Sequence, residues 1–317
     1  MTRSNPGDPT PAPTAEPEVA QRDASASLQD RLLGATEIEV YGIIDLDVHL
    51  TKFSDGDLPS ASIGRDFYLA QLTPVAPGNP GGGGYDTDFS IKTSRIGLTS
   101  NTPLGDGMVN SRLELDFLLS PGGNERISNS FNPRVRRAYV DYDGWRVGQE
   151  WTTFQALQAM PESASFYTPS ESQVFIRQPM IRYSIGNLQL ALENPNTNVA
   201  GVGLVDDGVL PDAIVRYNST GRSHNIALSG LFRQLRYRDG PIDGKAFGWG
   251  LSLAGRVNLG ADDIRFSLQS GQGMGRYVGL GIAPGAAIDV SGSKIEPIDS
   301  FSGNLAYRWV LGTTSLS

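Results

Sequence analysis

The chain has 317 residues, of which 39% are hydrophobic; its formal net charge is −8 and it contains no cysteine. The acidic balance excludes general nucleic-acid binding, which needs a basic, phosphate-neutralising surface, and the lack of Cys removes disulfides, thiolate metal sites and thiol nucleophiles together. No apolar run reaches the roughly eighteen residues a membrane helix needs, and mean hydropathy is −0.24. That excludes a helical membrane protein but not a barrel, in which only every second strand residue must be apolar.

Residues 1–35 are read as an N-terminal segment and 36–317 as one barrel. Met1–Pro17 is rich in Pro, Thr, Ser and Asp and has no apolar core, so no signal peptide is expected within it. Export is therefore expected to rest on residues outside this chain. Glu18–Leu33 reads either as a flexible linker or as a weak helix serving periplasmic assembly.

From Thr36 the pattern changes to a period of two. Ile38, Val40, Gly42, Ile44, Leu46 and Val48 fall on one side, and Glu37, Glu39, Tyr41, Asp45 and Asp47 on the other, the mark of a strand with one apolar face. Strands are expected at 38–53, 88–100, 108–119, 134–142, 145–151, 174–185, 188–193, 212–218, 224–234, 246–257, 264–271 and 301–311. Pro77–Gly84, Ser120–Pro133, Thr152–Ser172, Arg236–Lys245 and the stretch before Pro297 read as longer loops. Asp143-Gly144, Gly186-Asn187 and Ser219–Gly221 read as tight turns. About twelve antiparallel strands with short turns at one rim and long loops at the other point to an all-β transmembrane barrel of the porin type. The chain finishes on Gly-Thr-Thr-Ser-Leu-Ser rather than on a strand with a terminal aromatic, so the barrel is expected to be C-terminally incomplete.

One strand face is apolar and uncharged: Leu113, Leu115 and Phe117; Ala138, Val140 and Tyr142; Leu188, Leu190 and Leu192; Phe247, Trp249, Leu251 and Leu253. An Arg or Lys at the bilayer midplane on such a face costs roughly 2–4 kcal/mol. Tyr142, Tyr217, Tyr307 and Trp309 fall near strand ends, where interfacial aromatics belong. The opposite face is ionic. It holds Arg95, Arg112, Arg137, Arg182, Arg216, Arg233, Arg256, Arg265 and Arg308, together with Glu114, Asp116 and Asp141. Permanently charged guanidinium groups suit the guidance of an anion through a water-filled channel. The competing reading is a soluble or surface-attached β-sandwich, such as an adhesin, with this face simply solvated.

The segments Gln149–Phe154, Met160–Ser163, Gln173–Pro179, Ile181–Tyr183, Ala191–Pro195, Gly248–Leu251, Asp262–Phe266 and Gly273–Tyr277, in that order, resemble the DcaP-like porins of Gram-negative bacteria. The resemblance implies a homotrimer of barrels with about sixteen strands each, in outer-membrane lipid, passing small anionic solutes that include dicarboxylates. It also implies that the third long loop, here Thr152–Ser172, folds inward.

Arg177 and Arg182 lie just after that loop, and with Arg95 and Arg137 they are the leading anion-contacting residues. Arg112, Arg216, Arg265 and Arg308 complete the pore-lining set, and Asp45, Asp47, Glu114 and Asp116 supply the acidic wall. The arginines have a second reading, as partners that neutralise those carboxylates across the lumen. His49 and His224 have no second ligand at metal spacing, no nucleophile elbow accompanies His224, and Gly271–Gly275 is followed by no helix. No catalytic residue, metal or cofactor is therefore expected.

Overall fold

The structure, a computed structural model, describes residues 34–59, 62–75, 84–119, 123–124, 130–163, 167, 172–240, 242–281, 283–289, 294–312 and 314–316. The Glu18–Leu33 segment and all but the last residue of the Pro77–Gly84 loop lie outside them. In chain order the strands are β1 (Glu37–Ile43), β2 (Asp47–Thr51), β3 (Asp86–Ser90), β4 (Arg95–Leu104), β5 (Gly107–Asp116), β6 (Gly123–Asn124), β7 (Ser130–Phe131), β8 (Arg134–Tyr142), β9 (Trp145–Trp151), β10 (Arg177–Ile185) and β11 (Leu188–Glu193). They continue as β12 (Thr197–Val199), β13 (Gly203–Val205), β14 (Asp212–Thr220), β15 (His224–Asp239), β16 (Ile242–Leu259), β17 (Asp262–Gln272), β18 (Ala286–Ile288), β19 (Ile295–Pro297), β20 (Asp299–Leu311) and β21 (Thr314–Leu316).

Thirteen of these form one sheet in the order β1-β4-β5-β8-β9-β10-β11-β14-β15-β16-β17-β20-β21, antiparallel at every step. Each wall strand therefore neighbours the next in sequence, the up-and-down order that hairpin connections produce. Among the described residues β1 and β21 are the edges of this wall and are not paired with each other. The turns after β4, β8, β10, β14, β16 and β20 lie at one rim and are short. The loops after β5, β9, β11 and β17 lie at the other rim and are long.

The alternation of side chains matches the period-two reading. Ile38, Val40, Ile96, Leu98, Leu113, Val140, Leu190, Leu192, Leu228, Leu251, Leu253, Leu268 and Leu305 are all exposed on one face. Near the short-turn rim that face carries Tyr142, Trp145, Tyr217, Tyr307 and Trp309, with Trp145 and Tyr183 stacked at 4.7 Å. So wide an exposed apolar surface marks contact with lipid or protein rather than with water.

Four expectations from the sequence need correction. First, the strand 38–53 is two strands, and its partner 88–100 is likewise divided into β3 and β4. At the break, side chains take over from the ladder: the Asp45 amide donates to Ser94 Oγ at 3.0 Å, and the Thr93 hydroxyl to Asp47 at 2.6 Å. Second, Arg236–Lys245 is not a loop but the upper part of the β15–β16 hairpin, paired through Asp239↔Ile242. There the polarity of the ribbon inverts, with Leu235 and Tyr237 packed beneath β12, β18 and β19 and Arg238 on the outside. Third, the loops after β11 and β17 contribute a second, four-stranded sheet, β13-β12-β18-β19. Fourth, Thr314–Leu316 is a strand that pairs with β20.

Candidate functional site

After Trp151 the chain leaves the wall and crosses its inner face as a strap. Thr152 donates its amide to the Ile176 carbonyl, and the strap root is held in a buried cluster of Phe154, Val174, Ala191, Ile214, Leu231, Met274 and Tyr277. Further along, Ala156 and Ala159 pack on Ala227 of β15 and Ala254 of β16. Four small side chains in contact let a loop lie close against a sheet. Gly250 serves the same end, since a Cβ there would lie 2.5 Å from Met274 Sδ.

Arginines of the wall secure the strap. Arg216 on β14 donates to the Gln155 carbonyl, and Arg265 on β17 donates to the Met160 carbonyl at 2.7 Å and to Glu162 at 3.0 Å. Arg308 on β20 reaches Glu162 at 3.1 Å. Asp263, fully buried, lies beneath this group and accepts from Arg265 at 2.8 Å and Arg308 at 2.6 Å, with Arg256 at 3.1 Å. Hydrogen bonding from the Ser315 hydroxyl, helped by Arg265 and Arg308, holds the Glu162 carboxyl below its ordinary range.

Across the sheet lies a second group. The buried Glu114 and Asp116 on β5 take Arg136 and Arg134 at 2.7–2.9 Å, and Tyr41 donates to Glu114 at 3.0 Å. Glu150 takes Arg137 at 2.5 Å and Arg146 at 2.9 Å, and Asp141 also takes Arg146 at 2.6 Å. A register shift between Glu114 and Leu115 makes Arg136 the extra residue of a bulge. Beyond the bulge the parity reverses: Val135 is exposed on the outer face while Arg134, Arg136 and Arg137 all turn inward. A strict period of two places Arg134 and Arg136 on the apolar face, which is why sequence reasoning missed them. The signal available was the pair of charges at 134 and 136 on otherwise apolar parity.

With these carboxylates occupied, Arg95, Arg112 and Arg182 make no ion pair among the described residues, and each has a buried Nε without a hydrogen-bond partner. Arg112 lies over the Tyr41 ring at 5.4 Å. Arg182 is directly opposite Arg146 in the ladder, and a recess of about 370 Å³ opens between them, lined also by Asn110, Asp141, Ser184 and Gln189. Like charges placed opposite one another repel; Arg146 is compensated by its two carboxylates and Arg182 is left to the recess.

The remaining expected site residues are placed as follows. Asp45 and Asp47 sit at the β1–β2 break, Asp47 bound to Thr93. Arg177 and Arg182 were both expected among the anion-contacting residues; five positions of uninterrupted ladder separate them, which puts them on opposite faces of β10. Arg177 stacks on Trp151 at 4.2 Å, beside Phe175 at 5.8 Å. His224 meets the Ser219 hydroxyl at 3.1 Å. A further buried network that the sequence did not single out joins Asp212 to Tyr277 at 2.7 Å and to Arg233 at 3.3 Å, and Gln178 to Glu193. It ties the loop after β17 to the wall. Burial, followed by Asp212, pushes the Tyr277 hydroxyl well above its ordinary value.

The architecture is similar to that of the outer membrane channel DcaP of Acinetobacter baumannii, with a TM-score of 0.71 over 88% of this chain and 76% of that one, at 21% identity. OmpT of Vibrio cholerae aligns over 75% of this chain and 65% of its own at 13% identity, with a TM-score of 0.42 that carries no argument. No family model matches the chain, and no curated protein matches it. At this identity the likeness establishes the fold, an all-β antiparallel wall of the porin type.

Proposed function

We propose that the chain forms a passive outer-membrane diffusion channel of the DcaP-like type, preferring small hydrophilic anions such as dicarboxylates, and that it is a channel rather than an enzyme. One observation carries this reading: three arginines, Arg95, Arg112 and Arg182, stand on the strap-bearing face with no carboxylate partner, while the middle of the opposite face is apolar. A lone guanidinium left partly desolvated favours the approach of an anion, which supplies the missing hydrogen bonds and charge. Bidentate geometry suits carboxylates in particular.

In this reading the strap Thr152–Glu162 narrows the lumen, Arg216, Arg265 and Arg308 fix its position, and Arg137 with Glu150 shapes the field beside it. Asp45, Asp47, Glu114 and Asp116 form the acidic counterpart that stiffens the basic wall. Arg177 is assigned to packing against Trp151. Passage requires no covalent step: an anion exchanges part of its water for guanidinium contacts and moves from one to the next. Assembly as a homotrimer in outer-membrane lipid is part of the proposal and rests on the family likeness.

The test is a planar bilayer under a salt gradient. Wild-type protein is expected to show an anion-selective reversal potential, and Arg95→Gln, Arg112→Gln and Arg182→Gln together to shift it toward zero. An unchanged potential in the triple variant overturns the anion assignment. Heat-modifiable gel mobility and membrane fractionation test the barrel and its assembly separately from its selectivity.

A further inference from the structure

We propose that the outer face of the β15–β16 hairpin, where it meets Leu210 and Pro211, holds a phosphorylated, acylated lipid; this rests on the reading of the outer face as membrane-embedded. From the short-turn rim upward, the outward cross-strand pairs are Leu228↔Leu253, Gly230↔Leu251, Phe232↔Trp249, Gln234↔Phe247, Arg236↔Lys245 and Arg238↔Asp243. The series is apolar as far as Phe232↔Trp249, mixed at Gln234↔Phe247 and charged from Arg236↔Lys245 onward, one step of about 7 Å along the strand. That is the level at which the ribbon's polarity inverts, so it marks the place where acyl chains end and headgroups begin.

At this level the surface is cut by a cleft of about 500 Å³ lined by Leu210, Pro211, Ala213, Phe232, Phe247 and Lys245, among others. Ala213 faces Phe232 directly in the ladder, and its small side chain leaves the gap that Leu210 and Phe247 flank. Asp243 is taken by Arg236 at 3.2 Å and approached by Arg238 at 3.9 Å. Lys245 has no ion pair among the described residues and stands at the head of an apolar slot. An apolar slot headed by an ammonium with no ion pair is complementary to an acyl chain ending in a phosphate; Asp207, Asp239 and Asp243 offset the two arginines, and the charge offered to that headgroup is the Lys245 ammonium. A plain lipid contact needs only apolar side chains; the cleft and the unpaired lysine add shape and charge.

The experiment is native mass spectrometry of the full chain, purified in a neutral detergent and offered phosphatidic acid, the diacylglycerol with the same chains, or inorganic phosphate. Retention of phosphatidic acid alone is expected. Lys245→Ala and Phe247→Ala should each lower it about five-fold, and Arg222→Ala, at the opposite rim, should leave it unchanged. Equal retention of diacylglycerol, binding of inorganic phosphate by itself, or indifference to Lys245→Ala overturns the site. Because the chain has no cysteine, Lys245→Cys supplies a unique label: oxidation to a disulfide-linked pair of chains would show that a second copy covers the cleft, and would also overturn the lipid assignment. Conductance measured on the same preparations separates the two readings. A protein that conducts but retains no phosphatidic acid loses only the lipid site, and one that retains it but never conducts loses the channel.

Discussion

The two arcs of the inner wall carry the same residue type at the same parity and use it differently. On β14–β20, Arg216, Arg265 and Arg308 are engaged by strap carbonyls, Glu162 and the buried Asp263. On β4–β10, Arg134, Arg136, Arg137 and Arg146 are matched to four carboxylates, while Arg95, Arg112 and Arg182 are left without one. An inward arginine is thus not by itself a selectivity element. What decides its role is whether backbone carbonyls or carboxylates come within reach of its fork.

That contrast can be broken at several points. The largest effect is expected at Asp263, which serves three guanidinium groups with no exposure of its own. Asp263→Asn should lower stability by about 2–4 kcal/mol, part of the cost being screened because Arg256 reaches water; urea unfolding of protein refolded into vesicles measures it, and a loss under about 1 kcal/mol would show that the strap arc does not depend on this carboxylate. Next comes selectivity. Each of Arg95→Gln, Arg112→Gln and Arg182→Gln should reduce the anion-to-cation permeability ratio about two- to five-fold, whereas Arg216→Gln and Arg308→Gln should alter conductance and current noise more than the ratio. Equal ratio changes in both arcs would erase the distinction.

A third, smaller effect concerns pH. Since the folded-state pKa of Glu162 is lowered by Ser315, Arg265 and Arg308, its contribution to the strap is present above the ordinary value of 4.5 and is lost as pH falls through the lowered folded value. Current noise should therefore rise only below about pH 4.5, and Glu162→Gln should show the raised noise at every pH. A noise onset near neutrality would assign the effect to another group. The smallest effect is expected for Arg177→Gln, which removes a cation–π contact of about 0.5–1 kcal/mol and should leave the reversal potential where it was.

The wall was legible because lipid-type strands expose their pattern at every second residue, as Leu113, Leu190 and Leu251 do. Legibility failed wherever that rule changed locally. At Arg236–Lys245 the alternation persists with inverted polarity, so a search for an apolar outer face reads it as a loop. At Ile44–Leu46 the alternation is unbroken in sequence, and only the Asp45–Ser94 and Thr93–Asp47 bonds, between residues far apart in the chain, divide the strand. Charge on the inner face was visible; which charges are neutralised was not, because the partners Asp263, Glu162 and Arg136 are fixed by register and by the strap.

The bulge in β8 makes the barrel wall sensitive to insertion and deletion in an unusual way. One additional residue lets three cations fit within four consecutive positions while keeping all of them off the apolar outer face. Deleting Val135 would restore regular pairing and at the same time set Arg136 opposite the outward Leu115, so in a membrane-embedded wall a change that leaves every remaining side chain chemically intact should still prevent insertion. Deleting Arg136, by contrast, would leave Val135 outward and Arg134 and Arg137 inward. Length at this point in the chain is thus held as tightly as residue identity.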